Sequence, residues 1–285
     1  MAIYLNTNRN FENYKELYNE EYFVDKSKII SLINKKINTK SKYLCITRPR
    51  RFGKSSIVSM LGAYYSKAID SKEIFNELNI SKDKSYIENL NKYNVISISF
   101  TEVDKNCKDC REYIDRITTL LIEDLKEVFP NIKIKENYAI WDILNELKEK
   151  FIFIFDEWDY IFNSNLFEED QNEFLAFLMK LLKDQPYVAL CYMTGVLPIK
   201  KYSSVYALNM FDEYTFLKDR SFGEYFGFTE DEILELCNKN GKLRFDDVEA
   251  WYNGYLTATG IKIYNLRSVV KALINNHCES YWTNT

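Results

Sequence analysis

Four short stretches of the chain are rich in apolar, β-branched and aromatic side chains: residues 43–47, 95–100, 151–155 and 187–193. A strand with one wet face alternates polar and apolar residues. The run Phe151-Ile152-Phe153-Ile154-Phe155 leaves no polar face, so it belongs in a sheet covered on both sides. Helical patterns separate the runs, at residues 55 to about 69, 111–129, 139–150 and 169–183. Strands alternating with helices give a parallel sheet between helical layers, because each parallel crossover needs a dozen or more residues and a helix supplies them. A weaker pattern at 214–217 brings the count to about five strands. Glycine, only 8 of 285 residues against a usual ~7%, also favours a helix-rich chain.

The pattern changes near residue 220. Residues 229–239 read as a helix entered at Thr229, with Asp231 and Glu232 in its first turn; 246–252 and 266–275 read as further helices. The expectation is therefore a core over residues 1–220 and a small helical subdomain over 221–285.

Charge and composition exclude several classes of function. With 38 basic and 42 acidic side chains, the net charge is −4, so no global basic field holds nucleic acid, and any such contact must be local. The longest run without charge or amide, residues 187–199, has 13 members, short of the ~20 that a membrane span needs. No apolar signal core opens the chain, so the expected setting is cytoplasmic. Six cysteines spread over 285 residues make no disulfide framework. Cys107 and Cys110 are the only close pair. They lack a second pair or a nearby histidine for zinc, and read as two reduced cysteines at a helix start. The single histidine, His277, has no nucleophile motif beside it, which removes the usual Ser-His and Cys-His schemes.

The first apolar run leads into Thr47-Arg48-Pro49-Arg50-Arg51-Phe52-Gly53-Lys54-Ser55-Ser56, and a helical pattern follows. Strand, loop, Gly-Lys-Ser, helix is the layout of a phosphate-binding loop. Backbone N–H groups of residues 50–56 and the helix N-terminus form an anion cradle, Lys54 reaches the β- and γ-phosphates, and Ser55 is a natural Mg²⁺ ligand. The strict pattern has glycine where this chain has Arg48. The competing reading is a basic turn capping a helix. However, three arginines and a lysine packed together repel one another, and an anion would relieve that. About 100 residues on, the third run ends in Asp156-Glu157-Trp158-Asp159. A strand ending in two carboxylates suits metal support by Asp156 and activation of an attacking water by Glu157. Thr194, after the fourth run, is either a sensor of the γ-phosphate or a strand-end hydroxyl capping a turn.

These pieces resemble the AAA-ATPase-like family, P-loop ATPases often fused to a PD-(D/E)XK nuclease-like domain. The matching segments are Tyr22-Phe23-Val24-Asp25-Lys26-Ser27, the loop from Thr47 to Ser55, Phe155 to Asp159, and Thr194-Gly195-Val196. Further matches are Gly227-Phe228-Thr229-Glu230, Trp251-Tyr252-Asn253-Gly254-Tyr255 and the stretch from Tyr264 to Val269. A first glycine is commonly missing in this family, and Trp158 stands where its acidic motif usually has tyrosine.

The resemblance implies an α/β three-layer P-loop fold with a helical C-terminal lid. The strand ending at Thr194 would lie between the phosphate-loop strand and the Asp156 strand. It also implies Mg²⁺-dependent ATP hydrolysis, with Lys54, Glu157 and Thr194 around the γ-phosphate and Ser55 and Asp156 on the metal. Phe23, Val24 and Asp25 become candidates for the adenine pocket, or else part of a buried helix face. A second copy of the chain could supply an arginine finger; Arg220 is a candidate for that role or an ordinary surface charge. Relatives commonly continue past a segment like Tyr281-Trp282-Thr283-Asn284-Thr285 into the nuclease-like domain, so this chain reads as the ATPase module alone. A GTPase is not expected, because no Asn-Lys-x-Asp occurs. Nor is a helicase, because there is no room for a second motor domain. The alternative is an ATP-gated switch with negligible turnover, regulating a nuclease-like partner.

Overall fold

A computed structural model describes residues 2–202 and 208–281; the segment 282–285, matched to the family above, lies outside them. The elements run α1 (Arg9–Tyr18), α2 (Ile29–Asn34), β1 (Tyr43–Thr47), α3 (Lys54–Tyr65), α4 (Lys72–Phe75), α5 (Tyr86–Asn89), β2 (Asn94–Ser99), α6 (Cys110–Val128), α7 (Ile140–Glu146) and β3 (Phe151–Asp156). They continue α8 (Tyr160–Asn163), α9 (Gln171–Leu182), β4 (Val188–Gly195), β5 (Asp212–Thr215), β6 (Phe228–Thr229), α10 (Glu230–Asn240), α11 (Phe245–Tyr252), β7 (Tyr255–Leu256), β8 (Lys262–Tyr264) and α12 (Leu266–Asn275).

Five strands form one sheet in the order β2-β3-β4-β1-β5, and every pairing in it is parallel. The strand ending at Thr194 thus lies between the phosphate-loop strand and the Asp156 strand, as the resemblance implied. Side-chain alternation splits the strands between two cores. Phe151, Phe153 and Phe155 point to one face, with Ile117, Leu121, Ile143 and Leu178 of α6, α7 and α9. Ile152 and Ile154 point to the other, with Ile29, Ile33, Leu61 and Tyr64 of α2 and α3. These five β3 side chains are wholly buried, each worth ~1.5–3 kcal/mol relative to exposure. That burial explains why the run has no polar position.

The outer edge of β2 is also closed. Leu5 bridges Ile96 antiparallel, and the Asp124 carboxylate accepts the N–H groups of Ile3, Tyr4 and Leu5 at 2.6–3.0 Å. This clamp satisfies three amides beside an edge strand that would otherwise be open to pairing.

Element ends differ from expectation in instructive places. The α3 helix stops at Tyr65 rather than near 69, because Ser66 turns extended and Lys67 N–H bonds the Tyr93 carbonyl at 2.8 Å. The α7 helix ends at Glu146 rather than 150, where Lys148 adopts φ +55°. The fifth strand lies at Asp212–Thr215, two residues earlier than read, and Leu217 is 79% exposed. The chain beyond 220 is not wholly helical: β6, β8 and β7 make an antiparallel sheet beside α10, α11 and α12. A third core joins Ile233, Leu236, Val248, Val269 and Leu273 there. Thr229 opens α10 as expected, with a reciprocal capping box to Glu232. Cys110 begins α6 and is buried. No helix among the described residues is long and apolar enough to cross a membrane.

Candidate nucleotide site

The loop between β1 and α3 turns through two left-handed residues, Arg51 at φ +70° and Gly53 at φ +85°. Gly53 is required there: a Cβ would lie 2.6 Å from Leu266 Cδ1 as well as straining the backbone. Lys54 and Ser55 follow as the first residues of α3, so their side chains stand at the positive end of the helix. The Lys54 ammonium is buried. It lies 3.1 Å from Glu157 Oε1 and donates to the Pro49 carbonyl at 3.4 Å.

Asp156 and Glu157 come from the end of β3. Burial pushes the Asp156 carboxyl up to about 6. The Ser55 hydroxyl bonded to it and the Lys54 charge pull the other way, and the Glu157 charge adds to the rise. Glu157 sits at φ +48°, an uncommon conformation for a residue with a Cβ, and its N–H bonds Asp156 Oδ1 at 3.0 Å. That local cost, on the order of 1–3 kcal/mol, turns the glutamate side chain toward Lys54. Ser55 and Asp156 together offer a hydroxyl and a buried carboxylate. These hard oxygen ligands fit Mg²⁺, beside the Lys54 ammonium that already meets Glu157.

A cavity of about 470 Å³ opens from this loop. Arg50, Arg51, Gly53, Lys54, Ser55 and Ser56 line one end with Glu157. Phe23 and Val24 line the apolar part beside Tyr14 and Met60. The remaining wall comes from the C-terminal region: Tyr225, Gly227, Phe228, Leu266, Arg267 and Val270. Lys26 also borders the cavity and ties the N-terminal segment to that wall, through Glu232 at 2.6 Å and the Glu224 carbonyl at 2.8 Å. Burial lowers its pKa, and the Glu232 charge and hydrogen bond oppose the shift.

Two sequence assignments need correction. Asp25 does not reach the cavity; its carboxylate accepts from Ser27 N–H at 2.8 Å and Asn79 N–H at 2.6 Å, which fixes the chain before α2. Thr194 is wholly buried, and its hydroxyl donates to the Ile46 carbonyl at 3.0 Å, so it joins β4 to β1 instead of facing a phosphate. The Phe52 side chain points away from the cavity and packs on Phe216 and Tyr255, while its carbonyl accepts from Gly227 N–H at 3.1 Å. The group Phe52 can offer an anion is the backbone N–H already assigned to the cradle.

The sequence reading missed Asp219. It pairs with Arg48 where the loop pattern would have glycine, and both side chains are buried. Arg48 also donates to the Thr47 and Tyr214 carbonyls, each at 2.8 Å, and stacks on Phe226. The anion that relieves the crowded positive charge at this position is the protein's own. No local signal marks the partner, because it lies 171 residues away. Asp159 does not border the cavity. It accepts from Val196 and Leu197 N–H at 3.0 and 2.8 Å and from the Asn163 amide at 2.9 Å. A Cβ on Gly195 would fall 2.5 Å from its other oxygen. Arg220 is exposed.

Residues 10–205 match the family model AAA-ATPase_like, described as predicted AAA-ATPase, which is more than half of the chain. Among solved structures, the fold is similar to a Walker-type ATPase of Pyrococcus abyssi, at 14% identity and a TM-score of 0.45 over 91% of this chain and 72% of that one. It is also similar to PCH-2 of C. elegans, at 12% identity and a TM-score of 0.31 over 82% of this chain and 47% of that one. No curated protein matches the sequence.

Proposed function

Because the chain belongs to the AAA-ATPase-like family, we propose that it binds Mg²⁺-ATP in the 470 Å³ cavity and hydrolyses it. The observation that carries the reading is the meeting of Lys54 and Glu157 at 3.1 Å where the cavity reaches the phosphate loop. Phosphate entering the loop offers the Lys54 ammonium a stronger anionic partner than one carboxylate, so Lys54 turns to the β- and γ-oxygens. Glu157 is thereby released to accept a proton from an attacking water. Arg50, Arg51 and the N–H groups of residues 52–56 hold the phosphates. Bound to Ser55 and Asp156, Mg²⁺ would neutralise charge on the phosphate oxygens. Phe23, Val24 and Met60 offer an apolar bed for the adenine. Thr194 and Asp25 have no catalytic part in this proposal.

Nucleotide in this cavity would touch both the sheet domain and the C-terminal wall. That arrangement also favours the switch reading, in which ATP sets the position of a lid over residues 221–285 and turnover is incidental. The division at residue 220, a cytoplasmic setting, a homo-oligomer with an arginine finger and a nuclease-like partner belong to the same proposal. Acid-quench hydrolysis with Mg²⁺-ATP tests it: the wild-type chain turns over, while Lys54→Ala and Glu157→Gln do not. Tight ATP binding without cleavage in the wild-type chain would leave the switch; no ATP binding would overturn both readings.

A further inference from the structure

A second cavity of about 180 Å³ shares Ser55 with the first and has Asp156 in its wall. It is built by the start of α1, the α3 helix and the end of β2, and its lining is mostly hydroxyl and amide groups. Two of these side chains, Asn10 and Ser59, are 6% and 7% exposed, line the cavity, and have no side-chain hydrogen bond among the described residues. Their polar atoms are not sealed from solvent and keep their hydrogen-bonding capacity for a polar guest in the chamber. Its volume suits roughly six waters, or an ion of several oxygens, at ~30 Å³ per water. At its rim Arg9 pairs with Glu102, with side chains 53% and 43% exposed.

We propose that this chamber binds inorganic phosphate formed at the loop and conducts it out past Arg9 and Glu102 while ADP still fills the larger cavity. The proposal rests on the ATPase reading above. The β-phosphate of ADP would block the return through the loop, whereas the chamber begins at the residues that face the cleaved bond. Asn10 offers amide N–H donors, Ser59 a hydroxyl and Arg9 a guanidinium, all suited to phosphate oxygens. The charged groups facing the passage are Arg9, Glu102 and Asp156. The rim pair is solvent-exposed and screened by salt, so it can open readily.

The test compares cleavage with release in one turnover. Acid quench times the bond cleavage, a fluorescent phosphate-binding protein times the release, and labelled ADP reports the larger cavity. Ser59→Leu or Ser99→Leu should plug the chamber and lengthen the lag between cleavage and release about tenfold, while Arg9→Ala should shorten it. An unchanged lag in all three variants would overturn the exit. So would equal slowing of ADP and phosphate in the plugged variants, which would mark a distorted site. An absence of cleavage in the wild-type chain would remove the ATPase reading and the exit with it, a result distinct from cleavage with an unaltered lag.

Discussion

Replacing Arg48 by glycine would restore the strict phosphate-loop pattern, and the structure predicts that it damages the protein. The substitution leaves Asp219, a wholly buried carboxylate, with only the N–H groups of Ser221 and Phe222 at 2.7 and 2.9 Å. Breaking a buried pair from one side costs ~3–5 kcal/mol. The Thr47 and Tyr214 carbonyls also lose their donor, at about 0.5–1.5 kcal/mol each. These terms are not additive, so the expected cost is about 4–6 kcal/mol. That is a large share of the ~5–15 kcal/mol that holds a domain together. Urea unfolding followed by circular dichroism measures it as a lower midpoint at unchanged slope. Arg48→Met with Asp219→Asn removes both charges, keeps an acceptor for Ser221 and Phe222, and should recover most of the loss. A cost below about 1 kcal/mol for Arg48→Gly, or a double variant no better than the single, would refute the assignment of Arg48 and Asp219 as the tie between the loop and the segment after β5.

Four further outcomes are expected. Glu157→Gln should bind ATP at least as tightly as the wild-type chain, because Lys54 no longer has a competing carboxylate, and should lose ~10²–10⁴-fold in single-turnover hydrolysis; equal hydrolysis would remove Glu157 from the base role. Asp159→Ala strips the acceptor from two backbone N–H groups and should cost ~2–5 kcal/mol in urea unfolding, with ATP affinity of the folded fraction retained in calorimetry. Asp156 is raised from 3.8 to about 6, so the folded chain holds this proton more tightly than the unfolded one, and its contribution to stability falls as pH rises between those values. In chelator, Asp156→Asn should therefore raise the melting temperature at pH 7.5 and leave it nearly unchanged at pH 4; a destabilised variant at pH 7.5 would contradict the burial argument. Finally, ATP at 100 times its dissociation constant should add ~2.7 kcal/mol in a thermal-shift assay with Mg²⁺, and GTP less; equal shifts would mean that the bed around Phe23 and Val24 does not read the base.

What the sequence settled by itself is what neighbours along the chain can decide. Five consecutive apolar residues before Asp156 required a strand covered on both faces, and β3 is one. Gly53-Lys54-Ser55 after an apolar run placed a cation and a hydroxyl on a helix start, because a helix fixes its first turn relative to its axis. Thr229 and Glu232, three residues apart, completed a capping box that needs nothing distant. The tertiary structure decided whatever depends on a partner far along the chain. Two-residue strands such as β6 and β7 are too short to show a period, so the second sheet exists only because β8 lies between them. Thr194 could have faced a phosphate or the sheet; pairing of Ile46 with Thr194 in the β1–β4 register supplied a carbonyl within 3.0 Å and settled it. Asp25 could have met a base, but the chain brought Asn79 to it first. Arg48 read as unexplained positive charge until folding placed Asp219 against it. A hydrogen bond or ion pair selects whichever partner the fold delivers, and spacing along the chain specifies that partner only within a turn or two of helix.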